Sequence, residues 1–341
     1  MAHKIAIVTD STAYIPEALN RQYNIHVVPQ VLVWEQKTYR DGVDIKPAEF
    51  YQRQLNTTAH PTTSQATVQD FKDTFAAAAK EADSILTIVL SSDLSGAYNS
   101  ATQAMDGFGP QKIELIDSRM ISMALGYLVL AAARAAADGA SLADCAQIVR
   151  SRIPHAGVII TPITLDYLHR SGRISGTKRL LGTALNVKPI LELVNGKLHP
   201  SGQVRTTKKA QLHLVETVAA KLQSAKRFRV AAVHANAPEN AQEMLALLRE
   251  KCQPIEALVA DVSPTVGCHT GPGTTGLAWS IEDYRLAFAP RTALVLKAAA
   301  SGWPLFIVFF LMAQPRAPIP TKGVPVSGNR PPTGFKQCNS K

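Results

Sequence analysis

Charge is scarce in this chain. Asp, Glu, Lys and Arg make up 18% of the 341 residues, too little for a coiled coil or a disordered polyelectrolyte. Cysteine is scarce as well. Cys145, Cys252, Cys268 and Cys338 form no C-x-x-C pair, so neither a zinc ribbon nor a dithiol redox site is expected, and reduced thiols in the cytoplasm are. Long apolar runs are missing. Leu305 to Met312 is very apolar but follows a proline and falls far short of the ~20 residues a membrane helix needs. Met1-Ala2-His3-Lys4 leads straight into an apolar segment, so no signal peptide is expected. There is no Gly-x-x-x-x-Gly-Lys-Ser/Thr loop to cradle phosphates, no His-Glu-x-x-His metal motif and no Gly-x-Ser-x-Gly nucleophile elbow. No metal site is expected.

What is present is a body able to build cores, with 46% hydrophobic residues and a length that suits about two domains. The net charge of +10 would suit nucleic acid, but it is unevenly spread. Eight Lys/Arg and two acids follow Ser280, so six of the ten positive charges lie there. The rest of the chain is mildly basic with no dense Lys/Arg run, and no nucleic-acid partner is expected.

Apolar runs at residues 4–9, 25–34, 84–90 and 112–116 read as strands, and amphipathic or Ala/Leu-rich stretches at 47–55, 67–81, 97–105, 122–138 and 141–153 read as helices. This alternation predicts an N-terminal α/β domain over residues 1–155, a parallel sheet with helices on both sides. A hairpin is expected near residues 30–45. A second α/β domain is expected over 156–280, with strands at 157–160, 229–233 and 256–262, helices at 176–184, 206–223 and 238–251, and a strand pair turning at Asn195-Gly196. Residues 167–173 and 269–273 read as polar turns. Residues 281–341 lose this alternation and read as a disordered tail. A membrane-surface anchor at 303–312 is the alternative weighed for it.

In parallel sheets, ligands bind at the carboxyl ends of the strands. The loops expected there are rich in hydroxyls: Asp10-Ser11-Thr12, Ser91-Ser92-Asp93-Leu94-Ser95-Gly96 and Asp117-Ser118. Thr62-Thr63-Ser64-Gln65 precedes a further helix. Hydroxyls and backbone N–H groups at a helix start can hold a carboxylate without a cation. The bland alternative is that each hydroxyl is an ordinary helix cap. An enzyme using Ser95 as nucleophile with His269 as base, a hydrolase or phosphotransferase, is the competing functional reading.

Together these loops resemble the DegV family. The matching segments are Val8-Thr9-Asp10-Ser11-Thr12, Pro61-Thr62-Thr63-Ser64-Gln65, Leu90 to Tyr98, Asp117-Ser118, Leu168 to Ile174, Lys188-Pro189-Ile190 and Gly267 to Gly273, in the family's order. The resemblance implies a non-catalytic two-domain α/β protein that buries one long-chain fatty acid between its domains, with no other cofactor. It also implies a partner, the separate ATP-binding subunit of a bacterial fatty acid kinase, which converts the presented carboxylate to acyl phosphate for phospholipid synthesis. By motif, Thr63 and Ser95, with Gly96 beside it, are expected to contact the carboxylate, and His269 and Arg170 to lie near it. Contact with the membrane is expected to be transient. Two departures stand out: Ala97, where relatives have Thr, and the segment after Ser280.

Overall fold

The computed structural model describes residues 4–108, 113–174 and 187–283. Its first half contains β1 (Ile5–Asp10), α1 (Glu17–Gln22), β2 (His26–Val28), β3 (Val31–Trp34), β4 (Lys37–Arg40), α2 (Pro47–Leu55), β5 (Thr62–Ser64), α3 (Val68–Ala79), β6 (Ser84–Val89), α4 (Ala97–Ala104), β7 (Ile113–Asp117), α5 (Ser122–Ala137) and α6 (Leu142–Arg152). Strands β2-β1-β6-β7 form a four-stranded sheet in that order, parallel throughout. The sequence led to this sheet because both its faces are covered. Every residue of β6 is buried, which produces a continuous apolar run instead of alternation. The hairpin expected near residues 30–45 is β3–β4, and β5 joins its other edge antiparallel.

The second half contains β8 (Ala156–Thr161), α7 (Asp166–Ser171), β9 (Lys188–Val194), β10 (Lys197–Val204), α8 (Thr207–Leu222), β11 (Phe228–His234), α9 (Pro238–Lys251), β12 (Glu256–Asp261), α10 (Pro264–Thr270) and β13 (Thr275–Ile281). Its six strands run β10-β9-β8-β13-β11-β12. Only the β11–β12 pair is parallel; the other pairings are antiparallel. Strand β13, which carries no alternating signal, sits between β8 and β11 and is buried from Thr275 to Ser280. The polar turn read at 167–173 is replaced from Tyr167 to Ser171 by helix α7, whereas of 269–273 only His269 and Thr270 are helical, at the end of α10, and Gly271-Pro272-Gly273 remains a turn.

Helix α5 explains how the two sheets share one core. Its residues Ser122 to Ala133 are all buried, and it packs against β1 and β6 of one sheet and β8, β11 and β13 of the other. A helix enclosed on both sides has no polar face, hence its Ala/Leu-rich composition. The Tyr127 hydroxyl donates to the Val230 carbonyl at 2.6 Å, satisfying the polar atom this helix carries inward. Helices α8 and α9 cover the six-stranded sheet. Helix α3 covers the four-stranded one with Phe71, Phe75 and Ala78, and starts in a capping box between Thr67 and Asp70, a device worth about 1 kcal/mol.

The described residues, up to Asp283, belong to one compact unit. Strand β13 runs to Ile281, and Glu282 then pairs with Arg152 and Arg229 at 2.8 Å each. The helix expected at 176–184 and nearly all of the tail, including Leu305 to Met312, lie outside the described residues. Among the described residues no helix is long and apolar enough to cross a membrane.

Candidate functional site

A cavity of about 180 Å³ lies between the two halves of the fold. Residues 12–122 contribute one side and residues 158–274 the other. Its wall is mainly aliphatic: Leu90, Leu94 and Ile121 face Val158, Ile160, Leu193 and Leu198 across it. Polar residues interrupt it, Thr12, Gln30, Ser122 and Thr274 among them, and three chain segments bring Thr63, His269 and Ser95 to it.

The first segment is β5. Its register with β3 sets Thr63 opposite Leu32 and turns Thr63 to the cavity. The second is α10, started by the Ser263 hydroxyl, which accepts from the Val266 amide at 3.2 Å, with Pro264 in its first turn. Cys268 on this helix donates to the Pro61 carbonyl at 3.1 Å, tying α10 to the approach of β5. That tie places His269 Nε2 at 2.8 Å from Thr63 Oγ1. The third is the loop from β6 to α4, carrying Ser95 and Gly96. A side chain at Gly96 would put its Cβ 3.0 Å from the Gln65 carboxamide, so the absence of one lets Gln65 lie across this loop.

The histidine is held neutral. Burial, and then the nearby Arg173 guanidinium, push His269 down to about 4. Its Nδ1 has no hydrogen-bond partner. If Nε2 carries the proton, the histidine donates to Thr63 and leaves the threonine hydrogen free to point at a ligand oxygen.

The residues singled out by sequence therefore divide. Thr63, Ser95, Gly96 and His269 line one cavity. Arg170 does not: it is exposed and lies over the Tyr167 ring, 5.8 Å from its centroid. The turn became a helix, and three further residues along the chain Arg173 is the guanidinium that reaches the cavity. Gln65, present in the Thr-Ser-Gln segment, is a lining residue that motif reading passed over. Two of the hydroxyl-rich loops are braces. Asp10 accepts from the Thr12 hydroxyl (2.6 Å), the Thr12 amide (3.0 Å) and the Leu90 amide (2.7 Å). Asp117 accepts from the Ser92 hydroxyl at 2.5 Å. Ser95 Oγ accepts from the Ala97 amide at 3.3 Å, partly fulfilling the capping role weighed against a ligand role. Among the described residues His269 bonds Thr63, not Ser95. No group of three or more His, Cys, Asp or Glu there could hold a metal ion.

Residues 4–282 match the model of a family described as "Uncharacterised protein, DegV family". The chain belongs to the DegV family. A DegV domain-containing protein of Caldanaerobacter subterraneus subsp. tengcongensis is 39% identical over 274 residues, covering 80% of this chain and 98% of the relative. Protein DegV of Bacillus subtilis is 31% identical over 281 residues, covering 82% and 99%. Among solved structures, a DegV family protein from Thermus thermophilus, described by its fatty acid binding, superposes with a TM-score of 0.77 at 32% identity, over 82% of this chain and all of that one. DegV of Bacillus subtilis, described as a fatty acid binding protein, gives 0.73 at 29% identity, again over 82% and 100%. The part of this chain within the DegV match holds all three sheets and the whole cavity lining.

Proposed function

We propose that this chain binds one long-chain fatty acid in the cavity and presents its carboxylate to a separate kinase subunit, which phosphorylates it to acyl phosphate for phospholipid synthesis. The observation that carries the proposal is the make-up of one cavity: aliphatic side chains from both halves of the fold line it together with the hydroxyls of Thr63 and Ser95, with Gly96 and with the neutral His269. A buried acyl chain gains about 0.8 kcal/mol per methylene, so affinity comes from the apolar wall and neutral donors suffice for the head. The Thr63 and Ser95 hydroxyls supply such donors, which keeps the carboxylate available as a nucleophile. In this reading Arg173 takes the place expected of Arg170, the ligand lies between domains of residues 1–155 and 156–280, and the protein works in the cytoplasm. The Ser95-dependent hydrolase finds less support, because its base would have to be recruited away from Thr63.

Native mass spectrometry of the purified chain tests the binding step, with a co-purified fatty acid as the expected result. Thr63→Ala and Ser95→Ala should each weaken binding by roughly 10- to 100-fold, as loss of a hydrogen bond to a charged group does, with the fold retained and the melting temperature lowered by the lost Thr63–His269 or Ser95–Ala97 hydrogen bond. Acyl phosphate should form only when chain, kinase subunit and ATP are combined. Parent-like affinity in both variants, or acyl-phosphate formation without the kinase, would overturn the assignment.

A further inference from the structure

The β9–β10 hairpin is part sheet and part free arm. Its base is built in: Ile190 is fully buried, and β9 pairs with β8 at Ile159–Glu192 and Ile160–Leu191. Those two register pairs compare with six between β8 and β13, so the hairpin leaves the sheet beyond Glu192. Near the same level β10 carries a bulge, with Ser201 unpaired between Pro200 and Gly202, and a bulge bends its strand. The departing part carries Leu193 and Leu198, which face each other across the hairpin and both line the aliphatic cavity. Among the described residues its outer edge meets a single bridge, Ile174 to Leu198. We propose that residues 192–199 form a flap over the fatty-acid cavity, latched at its tip onto the loop after β6 and lifted to let lipid in and out. The proposal rests on the fatty-acid reading above.

The latch joins the two halves of the fold. Asn195 and Gly196 turn with φ of 49° and 81°, the left-handed pair of a tight hairpin turn. Ser91 Oγ donates to the Gly196 carbonyl at 2.8 Å. Arg119 donates to the Asn195 carbonyl and pairs with Asp93, and Lys197 reaches Asp93 at 3.4 Å. The tip sits close: a Cβ at residue 196 would lie 2.5 Å from Ser91 Oγ.

Such a latch is made to open. Arg119, Asp93 and Lys197 are all partly exposed, and ion pairs between exposed groups are weak and screened by salt. Segments with few sheet contacts open locally at lower cost than a core strand does. Lifting this one removes two leucines from the cavity wall and leaves the strands of both halves paired. A second, larger cavity of about 860 Å³, lined by Asp10, Ser11, His234 and Asp261 among others, takes no residue from the hairpin. The flap therefore serves the aliphatic cavity.

The test follows release of parinaric acid, a fluorescent polyene fatty acid, from the full chain after mixing with excess hexadecanoic acid. Combining Ser91→Ala with Arg119→Ala should speed release about tenfold, since a hydrogen bond and the ion pairs of the tip are lost together, while the probe still binds. Salt at about 1 M should speed release from the parent and have little effect on that variant. Combining Ser91→Cys with Gly196→Cys brings two thiols within disulfide reach at the tip. Oxidation should then slow release at least about tenfold, and dithiothreitol should restore it. Parent-like release from the double alanine variant, salt-independent release from the parent, or release unaffected by a disulfide that mass spectrometry confirms would each overturn the proposal. The amount of probe bound at equilibrium is read separately, so a parent chain that binds none would sink the fatty-acid reading instead.

Discussion

The two cavities are neighbours of opposite character, built from the same short segments. Val233 lines the aliphatic cavity and the next residue, His234, the polar one; Asp261 lines the polar cavity and Val262 the aliphatic one. Ser11 and Ala13 face one side and Thr12 the other. At the ends of β11 and β12 successive side chains on extended backbone point in opposite directions, so Val233 and Val262 turn to the aliphatic wall and His234 and Asp261 to the polar one. At those two strand ends a period of two divides the cavities.

The sharpest way to break this contrast is to put a charge on the wrong side. Ile160→Asp should abolish lipid retention and lower stability by about 3–5 kcal/mol, as expected for an unpaired charge in a closed apolar wall. Denaturant unfolding and lipid content would measure the two effects. Asp261→Leu, the converse change on the polar side, should leave lipid content at the parent level. Loss of lipid in that variant would show that the cavities are not separable.

Acidity should act on the two sides in opposite directions. His269 titrates below its ordinary value, at about 4. Its contribution is thus present above about 6.5 and lost as pH falls through about 4, an effect of about 3 kcal/mol. Asp41 is raised by burial to about 7, so its contribution is present below about 3.8 and lost as pH rises through about 7. Between about 4 and 6.5 the two slopes oppose each other and largely cancel. His269→Gln should unmask a fall in stability with rising pH and Asp41→Asn a rise, both read from melting temperature against pH. A parent-like profile in His269→Gln would refute the assignment.

The smallest expected effect concerns the hairpin that closes the aliphatic side. The tip between β9 and β10 rests on the loop carrying Ser95: Ser91 donates to the Gly196 carbonyl at 2.8 Å. Arg119 links Asp93 to the Asn195 carbonyl, and Lys197 reaches Asp93 at 3.4 Å. Arg119 is partly exposed, so Arg119→Ala should cost about 1 kcal/mol or less. It should speed exchange of bound fatty acid a few-fold, measured by displacement of a fluorescent analogue. An unchanged rate would mean that the tip does not control access.

Much of this was written in local sequence. The parallel sheet followed from apolar runs, because strands covered on both faces leave no room for polar residues. Thr63, Ser95, Gly96 and His269 were found through family motifs, and the structure gathers them at one cavity. Arg170 was named through the family motif, which carries no burial information. Once α7 forms, Arg170 is exposed over the Tyr167 ring and Arg173 lines the cavity. Strand β13 escaped because its centre is set by partners on both sides, β8 and β11, which lie far away in the chain. Gln65 escaped because its role depends on the missing side chain of Gly96.

By itself, then, the sequence determined the α/β class, the apolar cores and the hydroxyl-bearing loops, since each depends on composition and spacing within a few residues. Tertiary structure decided which hydroxyls face a cavity and which brace a loop, as with Thr63 against Ser92. It also decided that His269 is neutral, and that a second cavity opens behind the first. Those outcomes depend on distances, burial and fields between residues such as Thr63 and His269, some two hundred positions apart in the chain, and no local pattern encodes them.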